Sequence, residues 1–211
     1  MASTTDGASP YGARPVGTLS ASGSFTGKTR NLPIITTYGT AIFYGDFVKI
    51  AADGTVAKDT GTATLTSCGV FMGCSYTDPT SGQKTFSQQW PASNAATDAM
   101  AYVLDDPMVL LQMQADGAMN TTDRGLNVAV IQTAGSTSIG RSKNAIDSGT
   151  STTPATTDTL PFRVVDFVDG PHSLPPKGTT ASDAYPEVIV KFNAAKDTNE
   201  CPHQYMTATG V

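Results

Sequence analysis

Between Tyr38 and Tyr76 the sequence reads YGTAIFYGDFVKI, then ADGTV, then LTSCGVFMGCSY. This run leaves little room for anything but antiparallel β-structure. Three apolar segments, Ala41 to Tyr44, Phe47 to Ile50 and Leu65 to Tyr76, are separated by Gly45-Asp46 and Asp53-Gly54. Val, Ile, Phe and Tyr suit a half-buried pleated surface, and Asp-Gly supplies the positive φ angles of tight hairpin turns. The run predicts a meander of short strands, with a bend or bulge at Gly69 and Gly73. The rest of the chain reads as strands and arms added to it.

Upstream, residues 1–37 read as an extended arm. Pro10, Pro15 and Pro33 break helices there, and Arg14, Lys28 and Arg30 are three of only 13 cations. Such an arm is either a loose terminus or lies along a neighbouring subunit, with Tyr11, Val16, Leu19 and Phe25 in that subunit's pockets. Residues 77–98 read as a long polar loop carrying Phe86 and Trp90. These aromatics serve an interface or dock back on the chain's own core.

Downstream, Asp105-Asp106-Pro107 is a type I turn sequence. It predicts a hairpin of Ala101 to Leu104 with Met108 to Gln114, the second run having a short helix as its alternative. Leu126 to Gln132 carries aliphatics on both faces and reads as a central strand. Residues 133–159 form a Ser/Thr-rich connection with brief strands at Ile139 and at Ala145 to Ile146. Phe162 to Val168 is predicted as a strand with Phe162, Val164, Asp166 and Val168 on one face, and residues 185–193 as the last strand. A proline-rich loop follows Asp169-Gly170-Pro171, and 194–211 is an arm-like tail. The expected fold is all-β: a single antiparallel β-barrel or sandwich, residues 38–193, of about eight to ten short strands with extended N- and C-terminal arms.

Composition narrows function more than fold. Only 15% of the 211 residues are charged, the net charge is −5, and no basic run exists to neutralise phosphates; the expectation is no nucleic-acid partner. No apolar stretch of about 18 residues is present, so no spanning helix and no membrane partner are expected. The opening MASTTDGASPYG carries neither the charged n-region nor the apolar h-region of a signal peptide, which predicts no export by that route. Cys68, Cys74 and Cys201 form no disulfide framework and read as buried free thiols in a protein made in the cytoplasm.

Chemistry is sparse. There are two histidines, His172 and His203, in Pro-flanked segments, and no G-x-S-x-G elbow. Cys201-Pro202-His203 lacks any CxxC or HxxxH companion, so no metal is expected. The carboxylate pairs Asp105-Asp106 and Asp166 with Asp169 lie in ordinary turn sequences. No catalytic residue and no cofactor are expected, and the chain reads as a non-enzyme.

YGARPV, AIFYGDFVKI, GVFMGC, TLPFRVVDFVD and the terminal ATGV together resemble a group of tailed-bacteriophage virion structural proteins. In that group an RPV-type opening precedes an AIFxGDxV strand, a GVxxG strand, a TLPxRxxxxVD strand and an ATGV-like end. The resemblance spans most of the chain. It implies a capsid decoration, or cement, protein on the outer surface of the head, often trimeric, whose partners are the major capsid protein and copies of itself. It brings no catalytic or ligand residues, and the chain departs from it around Cys201 and in the 77–98 loop. The residues expected to meet a partner are Tyr11, Arg14, Val16, Phe25, Arg30, Phe86, Trp90, His203 and Tyr205. The alternatives are a major shell or tail component, and a carbohydrate-binding sandwich with Trp90, Tyr76 and Tyr102 as stacking platforms.

Overall fold

The structure is a computed structural model that describes residues 8–20, 23, 25–149, 154–168, 184–194 and 201–207. Among them are fifteen β-strands, two single 3-10 turns and no α-helix. One sheet has five strands: β1 (Arg14–Thr18), β10 (Val109–Gln114), β15 (Glu187–Phe192), β14 (Phe162–Phe167) and β11 (Asn127–Val128), in that order. A second runs β2 (Arg30–Pro33), β9 (Met100–Leu104), β6 (Gly69–Thr77), β4 (Phe47–Ile50) and β5 (Val56–Lys58), with β7 (Lys84–Ser87) also paired to β6. Two ribbons complete the set: β3 (Ile42–Phe43) with β8 (Gln89–Trp90), and β12 (Val130–Ile131) with β13 (Ala145–Ile146). Every strand pairing is antiparallel. The domain is all-β and sandwich-like, and the described residues form no closed barrel.

Side-chain alternation explains the layering. In the first sheet Val109, Leu111 and Met113 of β10 and Val188, Val190 and Phe192 of β15 point inward, while their neighbours are only half-buried. That is the pattern of a sheet with one dry face. The second sheet is buried on both sides. Phe47, Val70 and Leu104 join the core shared with the first sheet, whereas Val48, Phe71 and Val103, one residue away in each case, join a second core. Ile34, Ile42, Trp90, Ala96 and Ala99 cover that outer face.

The meander's composition predicted its strands better than its pairing. Asp53-Gly54 does turn β4 into β5, with Asp53 Oδ1 accepting from Thr55 N at 2.9 Å. At Gly45, φ +88°, the chain instead turns away, so β3 pairs with β8 and not with β4. The expected irregularity in β6 is present: its register against β9 shifts between Phe71 and Cys74, with Gly73 at φ +131°. The odd step places Cys74 and Tyr76 in the second core beside Phe71.

Several expectations are corrected. β9 and β10 are not a hairpin. Both edges of β9 are taken by β2 and β6, and both edges of β10 by β1 and β15, so Asp105-Asp106-Pro107 carries the chain from one sheet to the other. Leu126 to Gln132 is not a central strand: it breaks into β11, at a sheet edge, and β12, in a separate ribbon. Ile139 lies in a turn and is 62% exposed. A register shift between Val164 and Asp166 turns Asp166 to solvent and brings Phe167 into the core. The described part of the 1–37 segment is no free arm, because it supplies edge strands β1 and β2 to the two sheets. The 77–98 stretch contains β7 and β8. Asp169, His172 and the proline-rich loop, with residues 1–7, 150–153, 195–200 and 208–211, lie outside the described residues.

Candidate functional site

The short motifs converge on one buried node. Asp46 is fully buried; its Oδ2 accepts from Phe43 N at 3.0 Å and pairs with Lys58 Nζ at 2.9 Å, and its Oδ1 accepts from Ser142 Oγ at 2.6 Å. A buried charge is tolerable only when paired and hydrogen-bonded, and Asp46 is both. Gly12 N donates to Asn144 O, Ala13 N to Gly45 O, and Gly45 N to Phe71 O. YGARPV, AIFYGD and GVFMGC are therefore tied together by backbone. Gly12 has no alternative, since at φ +80° a Cβ would lie 2.5 Å from Ser142 Cβ.

The side chains left over from this packing open outward. Tyr11, Arg14, Tyr44, Gln88, Arg141 and Glu187 line a cleft of about 400 Å³. Its walls are held by backbone: Tyr44 N lies within hydrogen-bond distance of both Gln88 O and Gly140 O, Tyr44 and Arg141 form a parallel bridge, and Ser142 N donates to Tyr44 O. Glu187 accepts from Gln112 Nε2 at 2.5 Å. The buried Tyr11 hydroxyl stands beside Glu187 and Gln112 without a hydrogen bond of good geometry. Burial first, then the Glu187 charge, raises its pKa well above the ordinary tyrosine value.

A second cleft, about 550 Å³, lies where the N-terminal segment crosses the β9–β10 connection, between Phe25, Lys28 and Arg30 on one side and Leu104, Asp105 and Asp106 on the other. Arg30 Nε pairs with Asp105 Oδ2 at 2.5 Å, and its guanidinium lies 5.3 Å from the Tyr205 ring centre. Tyr205 belongs to the 3-10 turn Gln204–Met206. That turn is fastened to β4, because Ile50 N donates to Gln204 Oε1 at 2.7 Å and Gln204 Nε2 donates to Ile50 O at 3.1 Å. Its neighbour His203 is fully buried, edge-on to Phe192 at 5.0 Å, and neither ring nitrogen has a hydrogen-bond partner among the described residues. Burial pushes its pKa down to about 4 against the weaker pull of Asp105 and Asp106.

The sequence-predicted contact residues thus divide. Tyr11 and Arg14 meet in the first cleft; Phe25 and Arg30 meet in the second, with Tyr205 reaching Arg30 from the C-terminal side. Val16 and Leu19 are each 42% exposed at the edge of the first sheet, Leu19 bonded through its N–H to Met108 O, and Phe86 on β7 is 74% exposed. Trp90 and His203 are corrections: both are fully buried, Trp90 edge-to-face with Tyr76 at 5.4 Å, so neither reaches a partner or stacks on a sugar. Sequence reasoning missed Tyr44, Gln88, Arg141 and Glu187. Tyr44 was hidden inside an apolar run and Arg141 inside the Ser/Thr-rich stretch.

All three cysteines are free and buried. Burial pushes the thiols of Cys68 and Cys74 up to about 12, which keeps them protonated and poor nucleophiles. Among the described residues no group of three His, Cys, Asp or Glu side chains is placed to hold a metal ion, and no helix is long and apolar enough to cross a membrane. Comparison with family models, with curated proteins and with solved structures returns no match for this chain.

Proposed function

We propose that this protein is a non-enzymatic decoration protein of a tailed-phage head, binding the outer surface and stabilising contacts between capsid subunits. The observation that carries the reading is the course of the N-terminal segment. It presents Arg14 and Val16 on an edge strand and Leu19 just past its end, all exposed, and borders both clefts on its way. Large apolar side chains on a sheet edge are a liability in a solitary domain and an asset in one that meets another subunit. The motif resemblance supports the same role. A cement protein works by multivalency, adding many modest interfaces into a large total.

The test is reconstitution: purified protein is added to expanded heads lacking it, and occupancy and survival on heating are measured. Saturable binding with heat resistance is the expected result. Heads that neither bind the protein nor gain resistance would sink the assignment. Arg14→Ala with Val16→Ser should weaken binding at least tenfold while leaving the fold intact, since both side chains are exposed.

A further inference from the structure

We propose that the cleft between Arg14 and Arg141 receives a carboxylate presented on a peptide segment of a neighbouring protein subunit. The identity of the neighbour rests on the structural role argued above; the recognition chemistry does not.

Arg30, Lys58, Lys84 and Arg124 each have a carboxylate partner. Arg14 and Arg141 have no ion pair among the described residues, although the chain carries a net charge of −5. They come from distant parts of the chain, one opening β1 and the other closing the 136–141 turn, yet line one cleft. The Glu187 carboxylate in the same wall is held by Gln112 and faces the Tyr11 hydroxyl. Two guanidinium forks that line one cleft and lack an ion pair among the described residues suit bidentate capture of a carboxylate.

The other lining residues set the class of ligand. With Glu187 the three charged groups sum to a single positive charge, which one carboxylate neutralises; a phosphate, at about −1.5 to −2, would leave the cleft net negative. Tyr11 and Tyr44 give the walls flat, partly apolar surface against which a side-chain stem packs, and Gln88 adds an amide able to donate or accept. About 400 Å³ falls at the lower end of small-ligand sites, enough for an acidic side chain with its flanking backbone and too small for a folded element. The backbone bonds among Tyr44, Gln88, Gly140 and Ser142 fix the walls before any ligand arrives, which lowers the ordering cost of binding.

The experiment is a titration of isotope-labelled full-length protein, followed by amide shifts, with three probes: a blocked peptide with a central glutamate, the same peptide with glutamine, and inorganic phosphate. The expected result is saturable shifts confined to residues 11–14, 44, 88, 141 and 187 with the glutamate peptide, and binding at least tenfold weaker for the glutamine peptide. Arg14→Gln with Arg141→Gln should abolish the response while leaving the remaining spectrum unchanged, because both side chains are exposed. Equal binding of the two peptides, shifts elsewhere, or phosphate binding as tightly as the glutamate peptide would overturn the proposal. Peptide binding by a protein that ignores heads would overturn the decoration role and leave the cleft's chemistry standing; head binding without peptide binding would do the reverse.

Discussion

Ser142 Oγ donates to Asp46 Oδ1 at 2.6 Å across 96 residues of sequence, and both side chains are buried. This bond joins the meander to the Ser/Thr-rich connection, and Lys58 completes the node from β5. Asp46→Asn removes the charge and leaves the Lys58 ammonium buried without a counterion. Loss of one partner of a buried pair costs about 3–5 kcal/mol. Ser142→Ala leaves the pair intact and forfeits one charged hydrogen bond, for about 1.5–3 kcal/mol. Denaturant titrations should give that order. A null effect of Asp46→Asn would mean the node does not hold the two segments together.

Glycine positions offer a graded test of the packing. A Cβ at Gly69 would lie 2.1 Å from Leu104 O, whereas a Cβ at Gly54 meets nothing within 4 Å. Both have positive φ, so Gly54→Ala bears only the backbone strain, about 1 kcal/mol. Gly69→Ala adds a clash with a main-chain carbonyl at the contact of β6 with β9. Its expected outcome is insoluble protein or a Tm far below that of Gly54→Ala. Similar Tm values for the two variants would refute the close approach.

Phe86 and Trp90 lie four residues apart with opposite exposure, 74% and 0%. Trp90→Ala empties the second core and should cost about 3–5 kcal/mol. Phe86→Ser should change stability by less than about 0.5 kcal/mol, as surface substitutions do, and should weaken attachment to a particle if β7 faces one. Measuring stability and head binding on both variants separates a packing residue from a contact residue.

The buried thiols make a simple kinetic prediction. Cys68, Cys74 and Cys201 should resist a thiol-specific reagent in the native protein and titrate as three groups in denaturant. Fast modification of any one under native conditions would show that its segment opens readily.

The core strands were legible because β-rich segments alternate and end at Asp-Gly or Pro, but the described residues hold fifteen strands where eight to ten were expected, and β1, β2, β7 and β8 lie in stretches that read as arm and loop. The partnering was not legible. Nothing local distinguishes Asp105-Asp106-Pro107 as a hairpin turn from the same residues as a bridge between sheets; the edges of β9 and β10 were simply claimed by strands from elsewhere. Single-residue register shifts at Phe71/Cys74 and Val164/Asp166 invert the faces that alternation assigns, and only the first was announced by a glycine. Of the first cleft, Tyr11 and Arg14 stood out as a large aromatic and a scarce cation in a Pro/Gly segment. Arg141 acquires meaning only through its bridge to Tyr44, a tertiary contact that sequence spacing does not encode.

His203 makes the docking of the C-terminal segment sensitive to acid. Its ring is buried against Phe192 and Tyr205, with neither nitrogen partnered among the described residues, and burial lowers its pKa from 6.5 to about 4. A depressed pKa means that the unfolded chain binds the proton more tightly than the folded one. The contribution is therefore complete above pH 6.5 and is lost as pH falls toward 4, amounting to about 3 kcal/mol at most. The negative charges of Asp105 and Asp106 pull the His203 pKa the other way, more weakly than burial lowers it. Stability measured by denaturant at pH 7 and pH 5 should fall by about 2 kcal/mol more in the native sequence than in His203→Phe, which keeps the ring and removes the titration. Identical pH dependence in the two proteins would mean that His203 is hydrated, and that the 201–207 segment is not clamped onto Phe192 in solution.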